Sequence, residues 1–247
     1  MKTVLVPLPD RDFDVTEVSV PWKLLRQAGH RVVFATEAGA TPRCDPLLLT
    51  GVIFGQLGAD PEPIEYYHEL EQDEAFLSPL RWSEAPVAEM DALLLPGGHA
   101  PGMRQYLGSS ELGRLVADYD KLGRTVASIC HGVLVLARAK DPATGKSVLF
   151  DRTTTCLPKY MEALAFGLTF WKLGRYYRTY PKYVEDEVRG ALRDPAGQFE
   201  RGPITFGRGT REDDEPAFVV EDGRYLSARW PGDAYLFART LIDRLAD

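Results

Sequence analysis

"RTVASICHGVLVLARA", residues 124–139, is the stretch on which the fold turns. Small and β-branched residues from Thr125 to Ile129 stop abruptly at Cys130 and His131, and after Gly132 an apolar helical pattern begins. A parallel strand covered on both faces reads as such an unbroken run, and a strand feeding directly into a helix belongs to an α/β sheet. The corner sets a thiol and an imidazole above a strand end. That is the nucleophile-elbow arrangement, in which the amino terminus of the following helix aims free N–H groups at the side chain and, like the strained turn, favours the thiolate. Gly132 supplies the small residue, while Ser128 stands where the hydrolase form of the motif has Gly. The competing explanation is an ordinary buried cysteine at a strand end.

Working outward, strand-like runs alternate with helical patterns. "TVLVPL" (3–8) precedes a helix over roughly 17–28 that ends at Gly29, and "RVVFAT" (31–36) completes a βαβ unit. "ALLLP" (92–96) is followed by a helix near 111–122, capped by Ser109 or Ser110 and ended by Gly123. "AFVV" and "YLSA" read as a hairpin turning at "EDG" (221–223), and Ala234, Phe237, Ala238, Leu241, Ile242 and Leu245 recur at helical spacing in the closing helix. Residues 45–88 and 157–216 exceed ordinary connections and are expected to be insertions packed over one end of the sheet. The first carries a helix around 62–74. The second carries a helix with Met161, Leu164, Ala165, Leu168 and Trp171, an aromatic cluster (Phe170, Trp171, Tyr176, Tyr177, Tyr180) and a short helix near 183–192. The run "REDDE" (211–215) reads as a solvated loop. Without repeats or a low-complexity linker, residues 1–247 are expected to form a single domain.

A 247-residue chain that is 45% hydrophobic has ample material for a packed core. Its 29 basic and 36 acidic side chains leave a net charge of −7, which disfavours nucleic acid or an anionic membrane as partner and favours a small-molecule substrate. "MKTVLVPLP" is too short an apolar run for a signal peptide, and no run approaches the roughly 18 residues of a membrane span, so a cytoplasmic location is expected. Cys44, Cys130 and Cys156 are widely spaced with no CxxC, which supports neither a disulfide framework nor a structural zinc site. No metal or organic cofactor is expected.

Two further features point to the Cys130 corner. In "LLLPGGHAPGMRQYL" (93–107) an apolar strand opens into a Gly-Gly turn, where Gly97 and Gly98 allow close approach and offer N–H groups to an oxyanion, with His99 lining or propping the loop. Glu17 lies just past the first strand, where an open α/β sheet gathers its ligand site. It also suits a helix amino terminus capped from Asp14 or Thr16. Pro21 removes the N–H that would bond the Glu17 carbonyl, freeing that first turn.

"TEVSVPWKLLRQAGHRVVFAT", "LLLPGGHAPG", "ASICHG" and "YLSARWPGDAYLFA", in this order, resemble the DJ-1/PfpI (ThiJ) superfamily, and the long insertions resemble its Hsp31-like branch. The resemblance implies a flavodoxin-like three-layer sandwich, akin to class I glutamine amidotransferases, with helical insertions and usually a homodimer. It implies that Cys130 is the elbow nucleophile, Glu17 the buried glutamate paired with it, His131 the histidine that follows it, and Gly98 with the His131 N–H the oxyanion site. A glutamine amidotransferase mechanism is excluded because it needs a histidine well after the cysteine, and none of His30, His68, His99 and His131 supplies one. A hydrolase triad would need an acid on His131, with Glu162, Asp151 and Asp186 as candidates. Pro231-Gly232, near Arg229, resembles a ligand-facing turn and equally suits the first turn of a helix.

The expectation is a cofactor-independent cysteine enzyme acting on small reactive carbonyls. In the glyoxalase III-like form Cys130 attacks methylglyoxal, Glu17 or His131 shifts the proton between adjacent carbons, and lactate is released; a deglycase would be closely related. The alternatives are an amidase or peptidase using Cys130 and His131, a stress-response chaperone or redox sensor using the aromatic cluster or Cys130 oxidation, and an isocyanide hydratase using the same Cys and Glu.

Overall fold

The structure is a computed structural model that describes residues 1–53 and 55–246; Phe54, inside the first expected insertion, and Asp247, at the end of the expected domain, lie outside the described residues. In chain order the strands are β1 (Thr3–Pro7), β2 (Arg11–Phe13), β3 (Arg31–Thr36), β4 (Arg43–Cys44), β5 (Leu80–Arg81), β6 (Ala92–Leu95), β7 (Thr125–Ile129), β8 (Val219–Asp222) and β9 (Tyr225–Ala228). The helices are α1 (Val15–Gln27), α2 (Pro46–Thr50), α3 (Pro61–Leu70), α4 (Glu74–Leu77), α5 (Met103–Leu107), α6 (Ser110–Asp120), α7 (Val133–Arg138), α8 (Lys159–Leu173), α9 (Val184–Ala191) and α10 (Ala234–Ala246).

The main sheet runs β5-β3-β1-β6-β7-β9-β8. Every neighbouring pair is parallel except the β8–β9 hairpin. Residues of β6 and β7 are all buried, which is why Ala92–Leu95 and Thr125–Ile129 are unbroken apolar or small runs rather than alternating ones. Helices α1, α3 and α10 pack together as one layer, and α6, α7 and α9 as the other. This is the flavodoxin-like three-layer sandwich. The order reverses at β1, whose chain continuation goes to β3 on one side while β6 lies on the other. The carboxyl ends of β1, β6 and β7 are therefore side by side, at the crevice where such sheets collect ligands.

Cap chemistry sets the helix boundaries. Asp14 accepts the N–H groups of Thr16 (2.8 Å) and Glu17 (3.1 Å) and starts α1 two residues before the apolar period suggests. Ser109 caps α6 through the Leu112 N–H.

The insertions differ from expectation in one respect. Only the start of 45–88 lies over the end of the sheet. Its later part widens the sandwich: α3 packs on α1, α4 on β3, and β5 pairs with β3 at the edge. Over the sheet end the two insertions are tied together by hydrogen bonds from Tyr176 and Tyr177 to Asp45. The aromatic cluster splits. Tyr177 is buried, whereas Phe170 and Trp171 are 55% and 65% exposed. Nor is "REDDE" a solvated loop throughout, because Arg211 donates to the Tyr66 hydroxyl at 2.6 Å and Asp214 pairs with Arg239. Among the described residues no helix is long and apolar enough to cross a membrane.

Candidate active site

The elbow forms as a 3-10 turn, Cys130–Gly132, ahead of α7. Cys130 has φ +58°, a left-handed conformation that is costly for a side chain with a Cβ and that persists only where the surroundings enforce it. The enforcing contact is Gly132, where a Cβ would lie 2.1 Å from the carbonyl oxygen of Leu95 at the end of β6. The turn is thus wedged against its neighbouring strand, and Cys130 is held 1% exposed.

The three loops after β1, β6 and β7 converge here. The Gly97 N–H donates to Glu17 Oε2 at 2.7 Å, and the Asp14 N–H donates to the Gly97 carbonyl at 2.9 Å. A Cβ on Gly97 would lie 2.7 Å from the His131 nitrogen. The sequence-based expectation for Gly97 is therefore corrected: its N–H is committed to Glu17 and is not an oxyanion donor. Gly98 is buried against the Asp12 carbonyl, and its N–H makes no hydrogen bond among the described residues.

Glu17 is fully buried. Its Oε1 has no hydrogen-bond partner, and it lies near enough to the Cys130 thiol for the two to shift each other's titration. Burial, reinforced by the Asp14 charge, raises the Glu17 carboxyl well above the usual range. Asp14 itself is pushed up to about 6, chiefly by burial. Burial also raises the Cys130 thiol, with the Glu17 and Asp14 charges adding to it and the His131 backbone N–H opposing. This corrects the expectation of a thiolate favoured by the elbow. A short helix after a 3-10 turn does not offset complete desolvation beside two carboxyls.

His131 Nδ1 lies 3.5 Å from the Cys130 sulfur. Burial, with His99, Arg138 and Arg178 as neighbouring cations or potential cations, holds its imidazole well below the ordinary histidine range, so it is neutral at pH 7. His99 stacks edge-on against His131, with ring centroids 4.6 Å apart, and also meets Tyr177 edge-on at 5.8 Å. Its Nε2 is buried without a partner, and burial pulls its imidazole down to about 4. His99, Cys130 and His131 each offer one ligand atom, all within 4.8 Å of one another, a donor set that suits a thiophilic ion even though the cysteine spacing points to none.

None of the three candidate acids orients His131. Glu162 is engaged by Arg178 (2.6 Å) and the Val184 N–H (2.9 Å), Asp186 by Lys159 (2.7 Å) and Asp151 by Arg193. Glu162 and Asp186 lie in the second insertion, which caps the end of the sheet, and Asp151 lies just before it; the Asp186 and Asp151 pairs are solvent-exposed. Pro231 opens a 3-10 turn before α10, while Arg229 is fully buried and spent on Asp233 and the carbonyls of Pro203 and Pro216. Of the other histidines, His30 accepts from the Lys2 N–H and His68 pairs with Glu71 at the surface, both away from the elbow.

Sequence reasoning missed the electrostatic role of Asp14, legible only as a cap, and Tyr177, which no spacing links to His99. It missed the cavity as well. Next to the elbow is a space of about 180 Å³ between α2, α8 and the Trp230-Pro231 turn, with His99 and Asp14 in its wall.

An uncharacterised protein of Schizosaccharomyces pombe is 29% identical over 251 residues, 98% of this chain and 83% of that protein. A deglycase of Pyrococcus abyssi is 26% identical over 94% of this chain and 93% of its own. The crystal structure of glyoxalase III from Candida albicans superposes with a TM-score of 0.71 at 19% identity, covering 98% of this chain and 97% of that one, a likeness of fold. The family described as ThiJ/PfpI family-like matches residues 8–203, from the end of β1 through the elbow and most of the cap. On the strength of that match the chain belongs to the ThiJ/PfpI family.

Proposed function

We propose that the protein converts a 2-oxoaldehyde to the corresponding 2-hydroxy acid without a cofactor, a glyoxalase III-like reaction whose simplest form is methylglyoxal to lactate. The observation that carries the reading is the chamber itself: a fully buried thiol at a strained elbow, a neutral imidazole 3.5 Å from it, a buried carboxyl with one unpartnered oxygen beside it, and, among the described residues, no acid on the imidazole. Peptide hydrolysis needs an imidazole oriented by a third side chain, and among the described residues His131 has no side-chain hydrogen-bond partner besides Cys130. Moving one proton between adjacent carbons needs a neutral base and a carboxyl that hold and return it.

In this reading the Cys130 sulfur bonds to the aldehyde carbon and the thiol proton passes, through His131 Nδ1, to the aldehyde oxygen. That hemithioacetal loses the hydrogen on its former aldehyde carbon as a proton; the C–H electrons form a carbon–carbon double bond, and the ketone oxygen takes up a proton. Protonation of the second carbon and loss of the proton on the first oxygen give a thioester of the 2-hydroxy acid. Water then cleaves the carbon–sulfur bond, releasing the acid and restoring the thiol. No electron leaves the pair of carbons, so no redox partner is required. Glu17 Oε1 and His131 are the proton carriers, and the Gly98 N–H is the donor left for the developing oxyanion.

The test is lactate formation from methylglyoxal in an amine-free buffer, with Cys130→Ser and Glu17→Gln in parallel. Turnover by the wild type, reduced at least about 1000-fold by Cys130→Ser, is expected. A wild type that forms lactate only when glycated amines are supplied replaces the reading with a deglycase, and one inert to both overturns it. The relatives named deglycase and glyoxalase III support a carbonyl substrate. The extended insertions and the histidine after the elbow cysteine support the Hsp31-like branch, with a cytoplasmic homodimer as its expected form. A second reading rests on the exposed Phe170, Trp171, Ile204 and Phe206, which suit a holdase surface. Suppression of client aggregation that survives Cys130→Ser would establish it independently.

A further inference from the structure

The cavity beside the elbow is largely apolar. Leu48 from α2, Met161 and Leu168 from α8, and Trp230 are among the residues of its wall, and it is about 180 Å³ in volume. The polar groups along the wall are largely spent. The Tyr177 hydroxyl donates to Asp45 at 3.0 Å, the Thr169 hydroxyl to the Ala165 carbonyl at 2.7 Å, and Asp14 accepts both of its cap bonds through Oδ1, leaving Oδ2 without a hydrogen bond among the described residues. Arg208 is met by Asp60 at 3.5 Å and donates to the Gly58 carbonyl at 3.3 Å. Among the described residues, the Trp230 indole N–H and His99 Nε2 are buried polar atoms of the wall residues that have no partner. His99 is also the link to the reacting sulfur, with a ring nitrogen within 4.8 Å of Cys130 Sγ.

We infer that this cavity takes the substituent of the substrate, and that the preferred 2-oxoaldehyde carries an aryl or branched alkyl group rather than a methyl. This rests on the carbonyl reading above. An aldehyde carbon at Cys130 would extend its other end past His99 into the space between α2 and α8. A methyl group leaves most of that apolar surface uncovered, whereas a ring buries it and gains the transfer and dispersion terms of a filled site. A hydroxylated substituent, such as the sugar-derived chain of a glycated adduct, would give up much of its hydration along the leucine-rich part of the wall, where few polar groups face it.

The test compares kcat/KM for phenylglyoxal and methylglyoxal in the wild type and in two variants of the cavity, Ala165→Trp, which fills it, and Leu168→Glu, which places a charge on its exposed lip. The expected result is a preference for phenylglyoxal of at least about tenfold that falls toward unity in whichever variants fold. A smaller preference, or one that neither variant lowers, overturns the inference. If neither substrate is turned over, the carbonyl reading has failed, and the cavity is judged by binding alone. Unreactive acetophenone should then raise the thermal midpoint of the wild type and not that of the variants; no rise in the wild type overturns the inference as well.

Discussion

At the scale of the residue, the chemistry of the site is set by desolvation more than by local backbone. Cys130, Glu17 and Asp14 crowd into one dry space, and each carboxyl raises the thiol beside it. Alkylation of Cys130 by iodoacetamide should therefore show a pH midpoint above that of an ordinary thiol, and Glu17→Gln, by removing a negative charge, should lower that midpoint. Asp14 gives a second prediction, in stability. Its carboxyl rises from 3.8 to about 6 on folding, so the folded chain binds its proton more tightly than the unfolded one. The stabilisation is complete below about pH 4 and is lost as pH rises through 6. Asp14→Asn keeps an oxygen for the cap and removes the titration. Relative to wild type it should gain about 2 kcal/mol between pH 4 and 7, read by urea unfolding at each pH. Cys130 and His131 stand out in sequence because strand, nucleophile, glycine and helix follow one another along the chain, and Glu17 because it comes just past the first strand. Their protonation states do not, since they depend on neighbours contributed from other loops.

At the scale of the element, the elbow works because two glycines let backbone touch backbone. Gly132→Ala would drive a methyl into the Leu95 carbonyl, and Gly97→Ala would drive one into the His131 nitrogen. Both should cost roughly 2–4 kcal/mol in chemical denaturation, and Gly97→Ala should in addition weaken activity by displacing the Glu17 carboxyl it hydrogen-bonds. The strands were legible wherever burial on both faces makes them continuous: "RVVFAT" and "TVASI" have the boundaries their composition suggests. The two-residue strand β5 was not, because Leu80-Arg81 has no period of its own and becomes a strand only by pairing with the end of β3.

At the scale of the whole molecule, the second insertion is pinned to the sandwich by a buried ion pair. Arg229 and Asp233 are both fully buried, and Arg229 also donates to the carbonyls of Pro203 and Pro216. Arg229→Met should cost about 3–5 kcal/mol, because it leaves the Asp233 carboxylate buried without its cation, and should raise hydrogen exchange selectively across residues 203–218. This anchoring positions the cap that, with α2, encloses the cavity beside Cys130. The sequence by itself determined the alternation of strands and helices, the order of the central motifs and the corner that carries the thiol, because these are consequences of local period, propensity and turn chemistry. Only the tertiary structure decided that Gly97 serves Glu17, that none of Glu162, Asp151 and Asp186 reaches His131, that the thiol is raised rather than lowered, and that an apolar cavity adjoins it. Each of those depends on groups far apart in the chain meeting away from water, and pairwise burial of that kind leaves no periodic trace along a single sequence.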